Sequence, residues 1–481
     1  MIELKKDNKQ NKIQEIMNTQ QMNEDAFELK MQQLVKSQRE YFNSNVTRSV
    51  EFRIEQLKKL KKIIVEHENE MHEAIYKDFS KSKFENQLIE YYPLLDEIEI
   101  AIKNVKKWAQ HKSVKTNLLN FPGKSYLVPE PLGVSLVIGA WNLPYNLSLT
   151  PLIGSMVAGN TTILKPSELP TNTSSLMAKM INENFDSNYL HVVEGAIPET
   201  TALLKQRYDK IFFTGSPMVG KIVNKAAAEH LTNVTLELGG KNPSIFTKDC
   251  ALKMSVKRMI WARFINSGQF CITADYALVH KDIKEEFLKL AVQEIEKNNF
   301  SVENSNFVQI INERNFDRVT KLIDQNKVYY GGTFDREKRI IHPTILNNVS
   351  LKDAVMQEEI FGPVLPVIEY ETLDEAFEII KSFEKPLAAY LFSDSNATKE
   401  RFLNEIPFGS GAINDCVMQI SNPNLPFGGV GHSGMGRYHG KYSFECFSHF
   451  KGVLDKPTAI ETNLKYYGYS EKRMKIMKLL S

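Results

Sequence analysis

Three residues in this chain carry side chains that could do covalent chemistry together: a thiol, a carboxylate and an amide. Cys271 ends Phe264-Ile-Asn-Ser-Gly-Gln-Phe-Cys271. The Asn266-Ser267-Gly268 run marks an irregular turn that would leave the thiol beside exposed backbone N–H groups. An ordinary thiol titrates at about 8.5, so only a few per cent is thiolate at neutral pH, and a nearby base or positive dipole would raise that fraction. Glu237 stands in Leu236-Glu-Leu-Gly-Gly-Lys-Asn-Pro243, one carboxylate in an apolar, strand-like run. Burial there would raise its pKa and suit it to general-base work; an exposed strand-end carboxylate is the other reading. Asn142, in Trp141-Asn-Leu-Pro144, could donate its amide to a developing oxyanion or simply make a turn.

A second group of segments could hold a phosphorylated ligand. Gly215-Ser-Pro-Met-Val-Gly220 falls between a strand and a helical run, where a helix N-terminus can receive phosphate. It is not G-x-G-x-x-G, and a tight structural turn reads equally well. Lys165-Pro-Ser-Glu168 follows a buried strand; Glu168 could accept from ribose hydroxyls and Lys165 could donate to them, or both could be exposed turn charges. Gln357-Glu-Glu-Ile-Phe-Gly-Pro363 sets Glu359 near Phe361. Pro426 to Gly436 is a glycine-dense loop, a type that often passes close to a ligand or a catalytic backbone. Gly239-Gly240-Lys241 is not a P-loop, because Asn242 follows where Ser or Thr is required.

The elements that must position these residues are legible in the hydropathy pattern. Val134–Ile138, Thr161–Leu164 and Lys210–Phe213 are short, nearly all-apolar runs, as expected of strands buried on both faces. Helical stretches separate them, including 174–184 and 221–231. A doubly wound parallel sheet follows, with ligands beyond the carboxyl ends of its strands. Earlier, amphipathic helices are expected over 49–76 and 94–108. After Gly240 the alternation resumes: helices over 251–264 and 283–298, strands at 276–279, 364–370 and 388–392. That is a second α/β domain. The chain has 481 residues, too many for one ordinary core.

Composition excludes several functions. Net charge is +2 from 60 basic and 58 acidic residues, which gives nucleic acid no footprint. No run approaches the roughly 18 apolar residues of a membrane span, and the polar N-terminus lacks a signal-peptide core, so a cytoplasmic location is expected. None of the four cysteines forms C-x-x-C, which argues against a zinc knuckle or a redox dithiol, and no metal site is expected. Residues 1–28 read as a polar extension. The tail (461–481) interleaves Lys472, Arg473, Lys475 and Lys478 with Met474, Ile476, Met477, Leu479 and Leu480. It would lie on an anionic membrane as a weak peripheral contact, or pack or fray as a terminal helix.

Taken in order, these segments resemble the aldehyde dehydrogenase superfamily: W-N-L-P, K-P-S-E, F-F-T-G-S-x-x-V-G, L-E-L-G-G-K, G-Q-x-C, E-E-I-F-G-P-V and P-F-G-G-V-G-x-S-G. The match is closest to the class 3 type, through Pro131 to Gly139, Val234 to Lys241 and Ser433 to Phe444, and it runs from about residue 29 to about residue 455. The resemblance implies Cys271 as nucleophile, Glu237 as general base, and Asn142 in the oxyanion hole with the Cys271 N–H. It places Trp141, Lys165, Glu168, Gly215, Ser216, Gly220, Leu238, Glu359 and Phe361 on the cofactor, with Gly215 to Gly220 near the pyrophosphate. The cofactor is NAD, or NADP as class 3 relatives often accept; Glu168 should repel a 2′-phosphate. The implied fold is a Rossmann-like cofactor domain (29–112 and 128–236), a second α/β catalytic domain (237–441), and a small β bridging element (113–127 and 442–460) that joins a homodimer.

One departure bears on substrate. Class 3 relatives commonly read G-Q-T-C-V-A-P, whereas Phe270 and Ile272 flank this thiol, which suggests a channel for an apolar aliphatic or aromatic aldehyde. Two other functions are weighed. Transfer of the acyl group to CoA would not need the hydrolytic base Glu237, and a non-catalytic binding protein would not need Cys271, Glu237 and Asn142 all intact.

Overall fold

The computed structural model describes residues 25–461 and 463–480. Most of the expected polar extension therefore lies outside the described residues; helical backbone is already present at 25–28 and continues to 43. Met31 and Val35 on this helix are buried against the first sheet.

The first sheet has six strands, in the order Gly434–Met435, Asn233–Glu237, Lys210–Thr214, Val134–Ile138, Thr161–Lys165, Leu190–Val192. All neighbours are parallel except Gly434–Met435, which the glycine-dense loop lays antiparallel against Glu237 and Leu236. Val134–Ile138, Thr161–Lys165 and Lys210–Thr214 are buried at every position, their central apolar residues flanked by buried Ser, Thr and Lys side chains. Helices Pro144–Ala158, Thr171–Asn182 and Pro217–Ala228 make crossovers.

Two helices start earlier than the pattern suggests. Pro217–Ala228 begins at a proline, preorganised for the first helical position, with Ser216 as its cap. Thr171–Asn182 begins where Asp78, from another helix, accepts the N–H groups of Asn172 (3.0 Å) and Thr173 (2.9 Å). That cap is nearly a hundred residues distant, so local sequence cannot show it. The expected helix over 49–76 is two helices, Val50–Glu66 and Glu68–Phe79, broken at His67.

The second sheet has seven strands, in the order Val328–Tyr330, Thr344–Leu346, Val364–Tyr370, Tyr276–His280, Pro243–Phe246, Ala388–Phe392, Ser410–Ile413. It is parallel apart from its first pair. A separate antiparallel sheet joins Lys112–Val114, Lys124–Pro131 and Ser448–Asp455. It overlaps the two stretches expected to form the bridge, but its middle strand runs on through 128–131 into the expected cofactor domain, and helix Lys441–Cys446 occupies the start of the second stretch. No described helix is long and apolar enough to cross a membrane, and no metal-ligating cluster occurs among the described residues.

Candidate active site

Cys271 is delivered by a contorted turn. Helix Leu252–Phe264 ends, and Asn266 (φ 52°), Ser267 (φ 52°) and Gly268 (φ 71°) follow in left-handed backbone. Non-glycine residues reach that region at a cost, and the surroundings must hold them there. Ser267 Oγ donates to the Val308 carbonyl (2.5 Å) and accepts the Val308 N–H (3.1 Å). Gln269 donates to the carbonyls of Asn266 and Gln309 and accepts from the Ile311 N–H. Gly268 is obligatory, since a Cβ there would lie 2.4 Å from the Gly362 oxygen. Burial, with the negative charges of Glu359 and Glu237, holds the Cys271 thiol well above its ordinary pKa. The backbone N–H groups of Cys271 and Ile272 pull it the other way.

Glu237 closes strand Asn233–Glu237 and is 3% exposed. Neither carboxyl oxygen has a hydrogen-bond partner, and burial raises its pKa well above the ordinary carboxyl value. The glycine-dense loop presses on it: a Cβ on Gly428 would come 3.2 Å from Glu237 Oε1. Asn142 follows strand Val134–Ile138. Its amide donates to the Gln269 carbonyl (3.2 Å), two residues before the thiol. Asn266 returns an amide hydrogen bond to the Asn142 carbonyl (3.1 Å).

A cavity of about 930 Å³ runs along the carboxyl ends of the first sheet and onto the second. Cys271, Glu237 and Asn142 line it, with Trp141, Lys165, Glu168, Gly215, Ser216, Leu238, Glu359 and Phe361. Gly220 does not reach it. A Cβ on Gly220 would sit 2.8 Å from Leu238 Cδ2, so this glycine serves close packing of helix on strand. Phe270 and Ile272 do not reach it either; both are buried in the core, so neither side chain shapes the cavity wall as expected from the sequence. Lys165 is buried and donates to the Pro166 carbonyl (2.7 Å), and burial lowers its pKa against the pull of Glu168, Glu199 and Glu194. Glu168 is exposed to the cavity. Ser216 Oγ accepts the Val219 N–H (3.4 Å), so the N-terminus of helix Pro217–Ala228 abuts the same space.

Glu359 and Phe361 owe their place to residues whose roles the motifs did not single out. Lys241 donates to the carbonyls of Val355 (2.5 Å) and Glu358 (2.8 Å) and pairs with Asp275 (2.5 Å). Asp275 accepts the Ile360 N–H (3.1 Å), Arg318 binds the carbonyls of Glu359 and Ile360, and Arg263 binds that of Gly362. Gly239 leaves room for Glu359, whose Oε2 would otherwise be 1.9 Å from a Cβ. Burial raises Glu359 to about 8. Phe361, itself left-handed (φ 49°), meets Trp141 edge-on at 5.3 Å. Asn242 is a further unsuspected organiser: its amide donates to the Cys271 carbonyl (2.7 Å) and to Thr273, and its oxygen accepts the Ala388 N–H (2.9 Å). A cavity whose wall carries two carboxylates, Glu168 and Glu359, a helix N-terminus and an aromatic pair suits a dinucleotide.

The family model described as the aldehyde dehydrogenase family matches residues 8–453. A 4,4'-diaponeurosporen-aldehyde dehydrogenase of Staphylococcus aureus is 44% identical over 437 residues, 90% of this chain and 95% of that protein. A dimeric NADP-preferring aldehyde dehydrogenase of Rattus norvegicus is 44% identical, over 88% of this chain and 94% of its own. The substrate-bound structure of Staphylococcus aureus AldH superposes with a TM-score of 0.91 at 42% identity, covering 93% of this chain and 99% of that one. The buried carboxyl and the thiol on one dinucleotide-sized cavity agree with these matches, and the chain belongs to the aldehyde dehydrogenase family, oxidoreductases that use NAD(P) to oxidise an aldehyde to a carboxylic acid.

Proposed function

We propose that Cys271 adds to the aldehyde carbon to form a thiohemiacetal, and that Glu237 activates the water that later cleaves the thioester. The supporting observation is that Cys271, Glu237 and Asn142, from three separate segments, line one cavity. Asn142 and the Cys271 N–H donate to the oxyanion; one such donor is typically worth about 10²–10³ in rate. Bound NAD(P) supplies the hydride acceptor. Lys165 and Glu168 hold the adenosine ribose, Gly215 and Ser216 adjoin the pyrophosphate, Leu238 packs along the dinucleotide, Glu359 holds the nicotinamide ribose, and Phe361 with Trp141 orients the ring. Glu168 disfavours a 2′-phosphate, so NAD is preferred. Its buried, unpartnered carboxyl makes Glu237 a base whose active form grows as pH rises.

The aldehyde is apolar, aliphatic or aromatic. Support comes from Leu147, Phe427 and Tyr438 on the cavity wall. A second cavity of about 130 Å³, lined by Ile420, Leu425, Phe427 and His439 among others, shares Phe427 with the first. The Staphylococcus aureus relative is named for an aldehyde of 4,4'-diaponeurosporene type. The protein works in the cytoplasm as a homodimer, with the three-stranded sheet as the bridge and the tail in peripheral contact with membrane. NAD(P)H production by wild type and Cys271→Ala against acetaldehyde, octanal and benzaldehyde, with each cofactor, tests the reading. Turnover of octanal or benzaldehyde by wild type alone, faster with NAD, supports it. Activity surviving in Cys271→Ala, or none with any aldehyde, refutes it.

A further inference from the structure

The segment 80–91 links helix Glu68–Phe79 to helix Tyr92–Trp108 and contributes nothing to the cavity wall. It nevertheless buries three charged side chains, Lys81, Glu85 and Glu90. Lys81 Nζ pairs with Glu90 Oε1 at 2.8 Å and donates to the Asn142 carbonyl at 3.3 Å. Glu90 Oε2 accepts the N–H groups of Tyr145 and Asn146, both at 3.0 Å. These open helix Pro144–Ala158, whose cap residue Leu143 supplies no side-chain bond. Glu85 Oε1 accepts the Asn266 N–H at 2.5 Å, at the first left-handed residue of the Cys271 turn. The Asn266 amide closes the ring by binding the Asn142 carbonyl.

We infer that Lys81 and Glu85 are positioning residues that clamp the Asn142 loop against the Cys271 turn, and so set the oxyanion donor relative to the nucleophile. This rests on the reading of Asn142 and Cys271 given above. A buried charge cluster is by itself weak evidence of stabilisation, because well-packed apolar side chains often replace one without loss. What it supplies is a fixed geometry between two loops more than a hundred residues apart in sequence. Burial raises the carboxyls of Glu85 and Glu90, with Lys81 and, at Glu85, the Asn266 N–H opposing.

The test is a double-mutant cycle read by kcat/KM for aldehyde. Lys81→Met and Glu85→Ala are each expected to lose about 10–100-fold, the scale of a displaced catalytic group, with KM for the cofactor unchanged. In an Asn142→Ala background the same substitutions should lose less than about 2-fold, because the group they position is gone. Losses that multiply independently overturn the clamp. Glu85→Gln, which keeps a carbonyl for Asn266, should recover most of the rate lost in Glu85→Ala; no recovery also overturns it. Should Glu85→Ala not fold, Glu85→Asp takes its place, with a smaller loss predicted and wild-type rate refuting. If Asn142→Ala runs at wild-type rate while Cys271→Ala is dead, the oxyanion role and the clamp both fail and the dehydrogenase reading stands. If wild type oxidises no aldehyde, the reading fails by itself. The rate of Cys271 alkylation by iodoacetamide then decides the clamp: a change of about 3-fold or more in Glu85→Gln or Glu85→Asp supports it, and an unchanged rate refutes it.

Discussion

At Cys271 and Glu237 the same burial acts on two acids with different consequences. It raises the pKa of the thiol, which lowers its thiolate fraction, and it turns the carboxyl into a stronger base than a solvated glutamate. Because the Glu237 pKa is raised, its base form grows with pH, and kcat should climb through an acid limb that reports this group. Glu237→Gln should lower kcat by about 10²–10⁴ and abolish that limb, measured as kcat from pH 5 to 9. A stability effect of opposite sense follows. A carboxyl raised in the fold above its unfolded value favours the fold at low pH and opposes it as pH rises through the folded pKa. Glu237→Gln should therefore gain thermal stability relative to wild type at pH 9 more than at pH 5.

Among elements, the loop bearing Glu359 and Phe361 has no regular structure of its own beyond the short helix Ala354–Gln357. Its shape comes from Lys241, Asp275, Arg263 and Arg318, which together bind six of its backbone groups. Lys241 and Asp275 are both buried, so removing one leaves the other's charge without its main partner. Lys241→Met should destabilise by about 3–5 kcal/mol, read as the shift in urea midpoint, and should raise the KM for cofactor with little change for aldehyde. An unchanged cofactor KM would separate this network from the cofactor site.

Across the whole molecule, strand Ser448–Asp455 pairs with Lys124–Pro131 along its entire length and forms an edge of the three-stranded sheet. An edge strand of eight residues is a template for pairing with another chain. The tail beyond it ends in helix Glu471–Leu480, with Met474 and Met477 exposed among basic residues. Deletion of residues 456–481 should therefore leave a dimer in sedimentation and abolish partitioning onto anionic vesicles. A monomer, or unchanged partitioning, would reassign the bridge or the anchor respectively.

Sequence alone placed several of the central strands and marked the residues whose types could carry chemistry. Val134–Ile138, Val364–Tyr370 and Ala388–Phe392 match their expected bounds because burial of most of their positions leaves a mainly apolar run. Strands Pro243–Phe246 and Ser410–Ile413 escaped notice, being short and interrupted by serine, proline or glycine. Cys271, Glu237, Asn142 and Glu359 were marked by residue type in ordered motifs. What only the tertiary structure decided is what those residues touch. Gly220 turned out to pack a helix, and Phe270 and Ile272 to face the core. Only the fold shows that Asn242, Asp275, Lys81 and Glu85 are bonded to the segments that carry the site residues. The reason is physical: periodicity encodes only which face is apolar, whereas a buried polar group takes its meaning from a partner that the chain brings close from tens to hundreds of residues away.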